Sequence, residues 1–420
     1  MVKNFSSSKD LKLSEKLIFR VVYHHGPLTK NEIVTYTDGS LSTIQRLLHK
    51  LEESEVILPG ECKKATGGRK SKSYKVNPNA FYAFGAYITW DVYGVGLVSI
   101  DGKVLKSMER RTSKDLTPSE AVAFLHRAVE EIIADTEIER NRILGMTFSS
   151  PGPLKKDKGI LYSPHHLELS YWEVVPIKDM LEISTGFSVL VNNLSNSALF
   201  GELMNHTITT ELRAAYILID KGVGTAVFIP GMVNVNGEDS SDHLGHMIID
   251  VDGDPCICGN RGCLETFVSI GALKRRFAAS FPTEFEAKQG EGNISVAKYN
   301  DSWESSKELS EVKIIVDQLS NNESALSHGL LNECSEALGA GIKNFVTIIR
   351  PSKILMGGRV AKQMPDLVEQ SIEKARENPL FPMFNNIDFL YSDFSPELLI
   401  RGGAYQVFDN YIGLIKPVSM

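Results

Sequence analysis

The stretch from His246 to Glu265, HMIIDVDGDPCICGNRGCLE, constrains this chain more than any other. It sets His246, Cys256, Cys258 and Cys263 in an H-x9-C-x-C-x4-C pattern, and three of the chain's five cysteines fall within it. One imidazole and three thiolates complete a tetrahedral Zn²⁺ shell and leave no position for a reactive water, so the expected metal is structural. Gly253, Gly259 and Gly262 let the backbone fold tightly enough for the four side chains to converge. Five cysteines in 420 residues do not make a disulfide framework. Free thiols and a thiolate metal site fit the cytoplasm.

The net charge of −7 is unevenly spread. Residues 1–80 hold 14 Lys/Arg against 8 Asp/Glu, and the remainder holds 31 against 44. A basic head on an acidic body implies that the head alone meets a polyanion. No apolar run reaches the roughly 18 residues of a membrane span. The first residues, MVKNFSSSKDLKLSEK, carry no apolar signal region, and the expectation is a cytoplasmic protein.

Within the head, Leu17, Ile18, Val21 and Val22 share one face of a first helix that stops near Gly26-Pro27. Thr29 and Glu32 form a capping box that opens a short second helix. Ser40 caps a third helix, from Leu41 to about Glu53, whose Ile44, Leu47, Leu48 and Leu51 face inward at helical spacing. Leu41, Ser42, Gln45, Arg46, His49 and Lys50 are left on its outer face. Residues 56–58 and 72–76 read as a hairpin with a basic, glycine-rich tip holding Lys63, Lys64, Arg69 and Lys70. Three short helices and a basic hairpin predict a helix-turn-helix. The tip suits a phosphate backbone or a minor groove, while Ser42, Gln45 and Arg46 are placed to read base edges. A protein-binding helical module is the competing reading.

From residue 81 the pattern is α/β. Phe84 to Leu105 reads as two strands around a turn at Asp101-Gly102, and Thr117 to Glu120 as a second capping box, with proline at the first helical position. Buried strands follow at 143–148, 189–191, 215–220 and 353–356, and their recurrence around a middle break predicts two lobes with a cleft. Residues 283–325 read as helical pieces with surface loops. Gly222-Val223-Gly224-Thr225, Gly357-Gly358 and Gly402-Gly403-Ala404 read equally as the lining of a nucleotide cleft and as tight turns that the fold needs anyway. Trp172 and His165-His166 follow the Pro151-Gly152-Pro153 turn in what reads as a surface loop, with the mouth of a pocket as the alternative.

Gly245-His246 followed by CxCGxxGCLE resembles the signature of the ROK family, which comprises bacterial sugar kinases and sugar-responsive repressors. The head resembles the winged helix-turn-helix of the repressor branch, with GGRK at the wing in place of GGRP. The resemblance implies an α/β protein with an N-terminal winged helix-turn-helix, residues 1–80, followed by a two-lobed, actin-like sugar kinase fold, residues 81–420. The second part would bind effector and form a homodimer or tetramer.

The resemblance also implies what is missing. Family kinases carry a D-x-G-G-T phosphate loop after the first strand, and the matching stretch here, Ala86 to Asp91, has no glycine pair. Backbone amides cannot approach phosphate closely past Tyr87 and Trp90. The family's catalytic Asp, in E-N-D-x-N, falls on Leu194, and leucine cannot accept a proton. No catalytic residue and no ATP are therefore expected. Of the family's sugar contacts, Asn193, His246 and Glu265 are retained, while His243 replaces a glutamate. A hydroxyl facing Leu194 would lose its acceptor, at about 1–3 kcal/mol. The effector is then a deoxy sugar or sugar derivative, or a phosphorylated or acidic sugar favoured by His243; otherwise the pocket is empty and a protein partner regulates. His243 and Glu265 also read as supports of the metal site. The expected function is a sugar-gated transcriptional repressor bound to a double-stranded DNA operator, with a sugar kinase bearing an added head as the enzyme alternative.

Overall fold

The computed structural model describes residues 11–37, 39–61, 71–164, 167, 169–205, 207, 209, 212–230, 243–280, 325–377 and 386–415. Lys63, Lys64, Arg69 and Lys70 of the hairpin tip, His165, His166 and residues 283–324 lie outside this set. No helix among the described residues is long and apolar enough to cross a membrane.

The first helices follow their caps. α1 (Leu13–His25) is followed by β1 (Leu28–Thr29) and α2 (Lys30–Thr37). At the start of α2 the Thr29 amide donates to the Glu32 carboxylate at 2.6 Å, and the Glu32 amide donates to the Thr29 hydroxyl. α3 (Leu41–Glu53) begins where the Thr43 amide donates to the Ser40 hydroxyl at 3.2 Å. Its Ile44, Leu47, Leu48 and Leu51 are buried, and Leu41, Ser42, Gln45, Arg46, His49 and Lys50 are exposed. β2 (Ile57–Pro59) and β3 (Ser73–Val76) form the hairpin, with Ile57 opposite Val76. β1 adds to the other edge of β3, Leu28 opposite Tyr74, and so makes a three-stranded sheet. Two residues are too few for a strand period to register in the sequence.

The first lobe is built on β4 (Tyr82–Ile88), β5 (Val92–Ser99) and β6 (Val104–Arg111). The two strands expected between 84 and 105 are thus corrected to three. Thr89 accepts from the amides of Asp91 and Val92 and so closes a turn inside the stretch read as one strand. α4 (Pro118–Thr136) carries both halves of its capping box. β7 (Ile143–Ser150) follows, then the short β8 (Leu154–Lys155), β9 (Ile160–Tyr162) and β10 (Val174–Val175), then α5 (Ile177–Thr185), β11 (Val189–Asn193) and α6 (Leu194–Met204). The main sheet has the order β11-β7-β4-β5-β6, with Asn193 beside Ser150 at the carboxyl end of parallel β11 and β7. Trp172 is corrected from a surface loop to the core: it is 1 % exposed, and its indole N–H donates to the Leu116 carbonyl at 2.8 Å.

The second lobe carries β12 (Ala214–Ile219), β13 (Val223–Phe228), α7 (Glu265–Val268), α8 (Ile270–Ser280), α9 (Ala325–Ile349), β14 (Lys353–Gly357), α10 (Arg359–Gln363), α11 (Pro365–Arg376) and β15 (Asp388–Tyr391). Its sheet runs β13-β12-β14-β15. One face packs on the helices of its own lobe, including α9 and α11, around Leu338, Ile342, Val346, Leu367 and Val368. Tyr216, Leu218, Ala226 and Phe228 join the core of the first lobe instead.

The chain then returns to the first lobe as α12 (Pro396–Ile412). Gly402 and Gly403, read from the sequence as a tight turn or the lining of a nucleotide cleft, lie inside this helix. Glycine is needed there for proximity: a Cβ on Gly402 would stand 1.6 Å from the Ser197 carbonyl oxygen of α6, and one on Gly85 of β4 would stand 2.1 Å from the Ile400 carbonyl oxygen. α12 therefore lies backbone to backbone on both the sheet and α6. Its far end receives the head. Lys16, Arg20 and His24, spaced by four along one face of α1, meet the carbonyl oxygens of Tyr411, Gly413 and Leu414, with Arg20 at 3.2 Å and His24 at 2.7 Å.

A methyl group at residue 402 has nowhere to go unless α12 and α6 separate. Gly402→Ala is expected to cost about 3 kcal/mol or more, the upper range of core overpacking, read as a lowered denaturation midpoint of the first lobe. An unchanged midpoint would contradict this packing.

Candidate functional site

The metal-ligand loop is held by a compact set of backbone bonds. A single 3-10 turn over Leu244–His246 delivers His246. Ile248 and Cys263 then form an antiparallel bridge, as do Pro255 and Arg261. The Gly262 carbonyl accepts from Ile249 at 2.8 Å, the Gly262 amide donates to Asp254 at 2.7 Å, and Cys256 and Asn260 close the tip at 2.8 Å. Gly262 has a φ of +62°, and a Cβ there would stand 1.5 Å from the Asp250 oxygen, so this crossing admits glycine alone.

His246, Cys256, Cys258 and Cys263 converge as the spacing requires, with their ligand atoms all within 4.8 Å of one another. His246 Nδ1 stands 3.6 Å from Cys256 Sγ, and Cys258 Sγ stands 3.7 Å from Cys263 Sγ. A tetrahedron with metal–sulfur bonds of about 2.3 Å and a metal–nitrogen bond of about 2.05 Å has edges of roughly 3.8 Å for S–S and 3.6 Å for S–N. The four side chains fit a tetrahedral, thiophilic ion. Burial pushes the Cys256 thiol up, and burial with the neighbouring thiols pushes Cys263 up to about 12. Burial raises Cys258 too, but the Asn260 amide and the other thiols more than offset it and leave it below the usual thiol range.

Glu265 opens α7 directly after this cluster and is 6 % exposed. Its carboxylate accepts the Val223 amide at 2.9 Å and so ties the loop to β13. Burial raises its pKa, against the opposing pull of that amide and of His246. His243 is exposed, and its ring centroid lies 6.5 Å from that of His246. Asn193 sits across the middle break at the end of β11, and its side-chain oxygen caps α6 by accepting from the Asn196 amide at 2.7 Å and the Asn196 side chain at 2.8 Å. Leu194, the next residue, is 2 % exposed. The carboxyl ends of β7, β11, β12 and β14 supply Ser150, Asn193, Asp220 and Gly358, the edge at which open α/β sheets place their ligands.

On the head, Lys30 donates to Gln45 at 3.1 Å, and Ser42 pairs with Ser40 at 3.1 Å. Lys50 differs from its neighbours: it forms an ion pair at 2.5 Å with Glu15, whose carboxylate is buried, and so holds α1 to α3.

Two sets of residues escaped the sequence reading. Arg359 and the buried Asp220 form an ion cluster with the half-buried Asp91, of which the glycine pair before Arg359 gave the only sign. Asn192, Gln406, Ser197 and Ser149 form a buried hydrogen-bonded chain joining β11, α12, α6 and β7. Single polar residues in apolar segments carry no pattern to find.

The family model for ROK matches residues 93–402. The chain is 20% identical to a xylose repressor of Bacillus subtilis over 96% of its own length and 97% of the relative's. It is 25% identical to a glucokinase of Thermotoga maritima over 64% of its own length and 79% of that enzyme. The crystal structure of a ROK family transcriptional regulator, a homologue of the E. coli MLC protein, superposes with a TM-score of 0.71 at 19% identity, covering 96% of this chain and 97% of that one.

Metal and protons compete for the three sulfurs. Zn²⁺ affinity is expected to rise with pH through the neutral range and fall in acid. Each ion bound at neutral pH should displace at least the protons of Cys256 and Cys263, whose thiols stand above their ordinary range without it. Calorimetry in buffers of different ionisation enthalpy counts those protons. Cys258→Ser, which alters the exposed ligand, should weaken binding by more than tenfold; equal affinity would remove this residue from the shell.

Proposed function

The chain belongs to the ROK family, and from that premise we propose that it is a cytoplasmic, sequence-specific DNA-binding transcriptional regulator, a repressor of carbohydrate uptake or metabolism genes gated by a sugar-related effector. Residues 1–80 form its DNA-binding unit and residues 81–420 its effector-binding and oligomerisation body.

The observation that carries this reading is the outer face of α3. Ser42, Gln45 and Arg46 stand exposed near the helix N-terminus, on a scaffold whose caps and buried leucines are all in place. That is the geometry with which a recognition helix enters a major groove. Lys63, Lys64, Arg69 and Lys70 supply the phosphate contacts, which set affinity and its salt dependence. The likeness to the xylose repressor supports the reading, because it extends through the head.

In the body, His246, Cys256, Cys258 and Cys263 hold a structural Zn²⁺, which when bound fixes the shape of the cleft wall. Asn193, His243 and Glu265 face the effector, and Glu265 also braces the loop through Val223. A homodimer spaces two heads for a two-fold operator. The effector must bind the DNA-free state more tightly than the DNA-bound one, since only differential affinity shifts the equilibrium.

The likeness to a glucokinase favours a second reading, a sugar kinase with an added head. Leu194 opposes it, because it falls on the family's catalytic Asp and a leucine cannot accept a proton. The intact protein is expected to turn over no ATP with a panel of hexoses; turnover abolished by a substitution in the cleft would establish the kinase.

Binding to the protein's own upstream DNA tests the head. Gln45→Ala and Arg46→Ala should each relax discrimination at one base pair by about 1–3 kcal/mol. Lys63→Ala and Lys64→Ala should leave discrimination intact and lower the slope of log affinity against log salt by about one each. Fluorescence anisotropy at several salt concentrations reads both. Unchanged discrimination in both α3 variants would remove that helix from the groove.

A further inference from the structure

Arg359 opens α10 immediately after the glycine pair that ends β14, and it is 4 % exposed. Its guanidinium bonds Asp220, which is fully buried, through Nε at 2.8 Å and through a second nitrogen at 2.5 Å. The Arg359 amide adds a bond to the same carboxylate at 2.9 Å. Gly358 makes this possible. Its φ is +96°, and a Cβ there would stand 2.3 Å from the Ile219 oxygen, so only glycine lets α10 start against the end of β12.

These contacts lie within the second lobe. The guanidinium also reaches the first lobe, where it donates to the Asp91 carboxylate at 3.0 Å and lies 5.6 Å from the ring centre of Trp90. Asp91 and Trp90 form the β4–β5 turn, the stretch that matches the phosphate loop of the family's kinases. The turn after β12, which runs into Gly222 and Gly224, and the pair Gly357-Gly358 are two of the glycine turns that the sequence offers as lining of a nucleotide cleft. All three meet on one side chain. Among the described residues the cluster brings two carboxylates to one guanidinium, and Asp220 is fully closed to water.

We propose that Arg359 is an interlobe clasp: it joins Asp220 of the second lobe to Asp91 of the first, fills the glycine-lined end of the cleft, shuts out nucleoside triphosphates and sets how far the lobes close. A triphosphate would bring its negative charge against the carboxylates of Asp91 and Asp220, and it would have to take the guanidinium from a buried carboxylate that could not be left unpaired. The two interlobe contacts differ in kind. The Asp220 side is buried and permanent, while Asp91 is half-buried and is the side that can let go. An opening of the cleft therefore breaks at Asp91. The inference rests on the two-lobed body alone and stands whether or not the head binds DNA.

Asp91→Asn tests it with little risk to folding, since Asn keeps the shape and Arg359 keeps Asp220. In the full chain, hydrogen exchange at the amides of residues 89–92 and 359–363 should accelerate on the order of tenfold or more, and small-angle scattering should give a larger radius of gyration. Arg359→Lys should act in the same direction, because a point charge cannot serve both carboxylates as a planar fork does. Asp393→Asn breaks the exposed pair that Asp393 makes with Lys362 of the same helix at 3.0 Å, and it should change neither reading. Exchange and scattering unaltered in both Asp91→Asn and Arg359→Lys would overturn the clasp. Protection of the same amides in the wild-type chain by millimolar MgAMPPNP would overturn the claim that this end of the cleft is filled.

Discussion

The structure depends on the close approach of α12 to the first lobe. With no side chain at Gly85 or Gly402, the helix backbone rests directly on β4 and α6. Interiors packed at crystal-like density do not deform continuously, so such a contact fixes the helix axis relative to the sheet. The carboxyl end of the same helix accepts Lys16, Arg20 and His24. Cationic donors at a helix carboxyl end satisfy its last carbonyls and complement its dipole. One element therefore sets where the head sits on the body. Phe19 of α1 packs at 5.6 Å against Phe81, at the entry to β4, and closes the same joint with apolar contact.

α12 also touches the cleft. Gln406, on the helix, accepts from Asn192 and donates to Ser197 at 2.9 Å, and Ser197 pairs with Ser149 at 2.6 Å. Asn192 and Ser149 are strand-end residues beside Asn193 and Ser150. Burial makes each of these bonds expensive to leave unmade, so the strand ends, α6 and α12 move together or lose them. The head is thus connected to the cleft through one continuous chain of hydrogen bonds and one helix. On the opposite lobe, the metal-ligand loop is joined to β13 through Glu265 and Val223. The two lobes face each other across ends that are each internally braced.

Much of this could be read from the residues. Both capping boxes, the inner face of α3 and the convergence of His246 with three cysteines were legible because each depends on local chemistry at fixed spacing. Asn193 could be found but not its contacts, since its role as the cap of α6 depends on the turn between strand and helix. Three kinds of feature were illegible. Gly402-Gly403 has the composition of a turn, and only the neighbouring α6 shows that proximity is the reason for the glycines. Trp172 reads as a loop residue until the Leu116 carbonyl supplies its partner. Arg359, Asp220 and Asp91 are separated by more than a hundred residues at each step and carry no periodicity. Long-range polar contacts between lobes are set by the fold, and no local pattern announces them.

Under the proposed function, a small molecule in the cleft controls what the head holds. The direct measurement is retention of the protein on its own upstream DNA at fixed salt while sugars, sugar phosphates and acidic sugars are titrated in. Release is expected with one such compound, at a concentration that also saturates binding to the isolated, DNA-free protein. Tight retention undisturbed by every compound, with a protein partner releasing the DNA instead, would contradict it.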